Sequence, residues 1–90
     1  MITVDTLRFE LEGRFREIAE EIGKHYISVR WEPLPGVARV GACITDYSWD
    51  TRLAVIKTLL DFEKAHADEF ALDFDVFPLE SLNDEAFAEA

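Results

Sequence analysis

In the stretch "ALDFDVFPLE", Ala71 to Glu80, two aspartates interrupt an apolar segment. Asp73 and Asp75 lie two apart, so on a strand both carboxylates point to one side and can converge on a cation. Mg²⁺ and Ca²⁺ take oxygen ligands, and Asp46 and Asp50 are available to extend such a set. No glycine-containing calcium loop accompanies them. The same alternation describes the solvent side of a half-buried strand, and that reading is favoured. Metal binding at Asp73 and Asp75 stands as the weaker reading.

The other chemistry-bearing residues are sparse. His25 and His66 are the only histidines, and nothing in their spacing pairs them as zinc ligands. Cys43 is the single cysteine, set between Ala42 and Ile44, which fits a small residue within a sheet better than a nucleophile. The four glycines, Gly13, Gly23, Gly36 and Gly41, form no phosphate-cradling motif. Trp31 and Trp49 suit core or edge packing, with a partner contact as the alternative. No catalytic constellation emerges and no cofactor is expected.

The elements that must position these residues are read from periodicity. Leu7, Leu11, Phe15, Ile18 and Ile22 recur at helical steps, which predicts one helix ending at Gly23. Asp5 or Thr6 is expected to cap it, and Glu10–Arg14, Glu12–Arg16 and Arg16–Glu20 are spaced as surface ion pairs. In "HYISVRWE" the period becomes two, with Ile27, Val29 and Trp31 on one side and Ser28, Arg30 and Glu32 on the other. "PLPG" suits a type II turn at Pro35-Gly36. "VARVGACIT" then alternates Ala38, Val40, Ala42 and Ile44 with Arg39, Gly41, Cys43 and Thr45, completing a hairpin.

Asp46 or Ser48 is expected to cap a second helix ending near His66. Leu53, Ile56, Leu59, Leu60 and Trp49 are expected on its apolar face, widened by Val55 and Phe62. A third strand follows, with Leu72, Phe74 and Val76 facing one way and Asp73, Asp75 and Phe77 the other, stopped by Pro78. "SLNDEAFAEA" has room for a short helical tail capped by Asn83 and docked through Leu82 and Phe87.

The order α-β-β-α-β predicts an α+β two-layer sandwich over residues 1–90, a single domain. Two helices cover one face of a three-stranded sheet, and the second and third strands run parallel. The expected core is Leu11, Phe15, Ile18, Ile27, Val29, Val40, Ile44, Leu53, Ile56, Leu60, Phe74 and Val76. The uncovered face gathers Arg30 and Arg39 with Asp73 and Asp75. Cross-strand Arg–Asp pairs are expected if the third strand lies beside the first.

This order, ending "LDFDVFPLESLND", resembles in outline the small nucleotidyltransferase domains of toxin–antitoxin pairs. Those carry Gly-Ser after the first strand and Asp-x-Asp at the second, where this chain reads "EPLPG" and "ITDYSWD". The resemblance therefore implies a catalytically degenerate domain.

Charge narrows the partners. The net charge is −10, and 12% of the residues are aromatic, enough for a folded core. Residues 1–60 hold nine acids against eight bases, whereas residues 61–90 hold ten acids against Lys64 alone. Such a surface repels nucleic acid and anionic membranes. No apolar run approaches the roughly 20 residues of a membrane helix, and no secretory signal is visible, so a cytoplasmic location is expected. The leading expectation is a non-enzymatic protein–protein interaction module that uses its sheet face, its acidic C-terminal third, or both, to bind another protein, one with a basic surface, with Arg30, Arg39, Trp31, Asp73 and Asp75 as candidate contacts. A homodimer through the sheet is also expected. The alternatives are a cation-binding domain built on Asp73 and Asp75, the degenerate transferase, and an acidic mimic of DNA.

Overall fold

A computed structural model describes residues 2–79. The tail expected beyond Glu80, with Asn83, Leu82 and Phe87, lies outside the described residues. Among the described residues three helices and three strands follow one another as α1 (Val4–Arg16), α2 (Ala19–Ile22), β1 (His25–Glu32), β2 (Val37–Ile44), α3 (Trp49–Ala65) and β3 (Ala71–Pro78). The expected α+β order is observed.

The first helix starts earlier than its sequence suggests. Thr3, not Asp5 or Thr6, is the cap: its hydroxyl accepts from the Thr6 backbone N–H and its own N–H donates to the Thr6 hydroxyl, both at 3.1 Å. The expected single helix is also two. The Ile18 N–H bonds to the Phe15 carbonyl three residues back, a tighter turn that ends α1. The chain then re-enters one turn of α2, which carries Ile22 into the core at 1% exposed and leaves Ile18 half-buried. Of the three expected ion pairs, Glu10–Arg14 forms at 3.1 Å among the described residues. Arg16–Glu20 spans the break and does not.

β2 is the central strand, antiparallel to β1 and parallel to β3. The parallel pairing follows from the helical crossover. The hairpin loop is wider than a type II turn at Pro35-Gly36: the Gly36 N–H bonds to the Glu32 carbonyl at 3.0 Å. Gly36 holds φ at 68°, a conformation that favours glycine.

Ala38, Val40, Ala42 and Ile44 of β2 are all buried, facing the helices. Above them α1 supplies Leu7, Leu11 and Phe15, and α3 supplies Val55, Leu59 and Phe62. α1 lies against β1 and α3 against β3. The expected core is corrected on α3. Leu53 and Leu60 are 41% and 46% exposed and Ile56 is half-buried, while Val55, Leu59 and Phe62 are fully buried. The helix is rotated because Thr51 goes inward, its hydroxyl bonded to the Ser48 hydroxyl and the Asp46 carboxylate, which puts residues 55, 59 and 62 beneath it. Phe74, Val76, Ile18 and Ile27 pack on the core half-buried. Among the described residues no helix is long and apolar enough to cross a membrane.

Candidate functional site

The helix-free face of the sheet is a grid fixed by strand register. Tyr26, Cys43 and Phe77 form one row, and Ser28, Gly41 and Asp75 the next. Arg30, Arg39 and Asp73 form the third, closed by Glu32, Val37 and Ala71. Alternation along each strand puts all twelve on this side.

The third row and Glu32 are tied together. Arg39 donates from Nε to the Glu32 carboxylate at 2.7 Å and from a terminal nitrogen to Asp73 at 2.5 Å. Arg30 adds a bond to Glu32 at 3.2 Å. The hydrogen bond from Arg39, then that from Arg30, holds the Glu32 carboxyl below its ordinary range, and Glu32 in turn raises the Arg39 guanidinium. The Arg–Asp pair comes from Arg39 because β3 lies beside β2, not beside β1. These groups are solvent-exposed, so the network adds order to the surface more than stability.

The second row is a hollow. A Cβ at Gly41 would sit 2.8 Å from the Ser28 hydroxyl oxygen and 3.2 Å from the Phe77 ring. Glycine there leaves a depression of about 320 Å³ lined by Ser28, Gly41, Asp75 and Phe77, with Arg30, Arg39 and Asp73 along its rim. Asp75 makes no ion pair among the described residues. The first row adds exposed aromatic surface, with Tyr26 at 55% and Phe77 at 38%. Cys43 between them is buried, and burial pushes its thiol above the ordinary value, away from the reactive thiolate.

Trp31 does not join this face. It is half-buried on the helix side, edge-on to Phe70 with ring centres 5.8 Å apart. Asp46 is engaged at the start of α3, where the Thr51 hydroxyl, then Ser48, hold its carboxyl below the usual range. Asp73 is committed to Arg39, and among the described residues no cluster of three or more His, Cys, Asp or Glu side chains could hold a metal ion.

His25 donates from Nδ1 to the Gly23 carbonyl at 2.8 Å. His66 is the more consequential histidine. It caps α3, stacks on Phe70, and bonds Glu69 at 2.6 Å and Glu10 of α1 at 2.8 Å. Sequence reasoning saw its helix-end position but not the tertiary partner on α1, which no local spacing encodes. Desolvation, the largest single influence, lowers its pKa, but the two carboxylates together raise it above the ordinary value.

A raised folded value means that this contribution to stability is complete below about pH 6.5 and is lost as pH rises through the higher folded value. The urea midpoint is therefore expected to fall as pH rises above about 6.5, and His66→Gln to flatten that slope. An unchanged slope in the variant would remove His66 as its cause.

Compared with protein-family models, curated proteins and solved structures, the chain has no match in any of the three.

Proposed function

We propose that the chain is a non-enzymatic protein–protein interaction module whose open sheet face receives a basic segment of another protein. The observation that carries this reading is the hollow over Gly41 with Asp75 at its side and Phe77 as its wall. A lysine or arginine side chain can lay its aliphatic stem along an aromatic ring while its charged end meets a carboxylate. The neighbouring Arg39–Glu32–Asp73 network gives the rim a fixed charge pattern, which favours one docking orientation over others. A net charge of −10 steers such a partner toward the chain and away from nucleic acid.

Site-specific photo-cross-linking in the native cell tests the reading. A cross-linking residue in place of Ser28 is expected to yield a discrete protein adduct that one in place of Glu12, exposed on α1, does not. Asp75→Lys is expected to abolish that adduct. Equal adducts from both positions, or an adduct indifferent to Asp75→Lys, would overturn the assignment.

A further inference from the structure

Helix α3 carries two apolar faces. Val55, Leu59 and Phe62 occupy the core. Trp49, Leu53, Ile56 and Leu60 form a second stripe on the outside, with Trp49 66% exposed at its start. Their steps of four, three and four are the spacing of a helix–helix seam. An isolated exposed leucine needs no explanation, but a continuous stripe headed by tryptophan has the composition of an interface.

The charges beside the stripe say what covers it. Asp50 follows Trp49 and Lys57 follows Ile56, so both flank the seam on the same side, seven residues apart. That side opens on a groove of about 640 Å³ between α3 and α2, lined by Ile18, Glu21, Asp50, Ala54, Lys57 and Asp61. A two-fold axis across α3 sets the helix antiparallel to its own copy. With Leu53 against Ile56 of the second copy and Trp49 against its Leu60, Asp50 stands opposite Lys57, and symmetry repeats that pair. A parallel pairing instead brings Arg52 toward Lys57 of the second copy, which is repulsive.

We infer that the protein forms an antiparallel two-fold dimer through the outer stripe of α3. This moves self-association from the sheet, where Arg30, Glu32, Arg39 and Asp73 are already paired within one chain, to the helix layer. The sheet face is left free for a different protein, so the inference stands independently of the proposed function.

Sedimentation of the full chain over a range of concentrations, at about 150 mM salt to screen the net charge, is the test. The mass is expected to rise from 10.3 kDa to twice that value. Leu60→Glu is expected to leave it monomeric, with circular dichroism confirming the fold. Asp50→Lys is expected to weaken the dimer roughly tenfold or more, and the exchange Asp50→Lys with Lys57→Asp to restore it, a recovery that misfolding cannot imitate. A constant mass of 10.3 kDa would overturn the inference. So would a dimer that survives Leu60→Glu, or one lost on Arg30→Glu alone.

Discussion

Phe62→Ala is expected to lower the unfolding free energy by about 3–5 kcal/mol, a large share of what holds a domain of this size together. The ring is fully buried, with the His66 and Phe70 rings 4.9 and 5.8 Å away and the Arg14 guanidinium 5.8 Å over it. Truncation leaves a cavity that none of these neighbours can close without abandoning its own position. His66 is held by Glu10 and Glu69, and Phe70 by Trp31. Leu53→Ala, two turns earlier on the opposite side of α3, is expected to cost about 1 kcal/mol or less in dilute monomer. Urea denaturation of both variants, with equal slopes, measures the difference. Were Leu53→Ala the costlier of the two, the helix would be rotated from the position described.

Ala42→Leu is expected to destabilise by about 1–3 kcal/mol even though it adds apolar volume. Ala42 is fully buried at the middle of the central strand, between Ile27 on β1 and Val76 on β3. Ala38, equally buried, lies two steps along the same face, beyond Val40. Two small residues on β2 let α1 and α3 settle close to the sheet, and a branched side chain there must push a helix outward or take a strained rotamer. The matching change on the opposite face, Arg39→Leu, removes exposed ion pairs only and is expected to fall within about 1 kcal/mol of the parent. Thermal melts are sufficient, since each kcal/mol moves the midpoint of a domain this small by roughly 4–8 °C. A midpoint for Ala42→Leu equal to or above that of the parent would show spare room in the core.

Much of the sheet was legible because each strand runs eight residues at a strict period of two. Asp73 and Asp75 therefore fall on the wet side with Arg30 and Arg39, as their alternation predicts. The sheet order was not legible, since alternation records which side a residue takes and not which strand lies next to it. It is the central place of β2 that makes Arg39 the partner of Asp73. The facing of α3 was misread for a related reason. Residues 49, 53, 56 and 60 make as good a helical stripe as 55, 59 and 62, and the stripe that enters the core is led by a threonine. Only the hydrogen bonds of Thr51 to Asp46 and Ser48 identify that residue as an inward one. The hollow over Gly41 depends on Ser28 lying beside it, which the pairing of β1 with β2 supplies. Phe77 as its wall emerges only from the register of β3.

The position of β2 between an antiparallel and a parallel neighbour also sets the order in which the sheet can be assembled. β1 and β2 are joined by a loop over residues 33–36, so they can meet early and at small entropic cost. β3 reaches β2 only after residues 45–70 have been crossed and α3 has formed within them. During synthesis on the ribosome, the hairpin therefore emerges with the far side of its central strand bare, its N–H and C=O groups open to any extended chain nearby. Until residues 71–78 arrive, that side of β2 is the edge at which a wrong pairing can form.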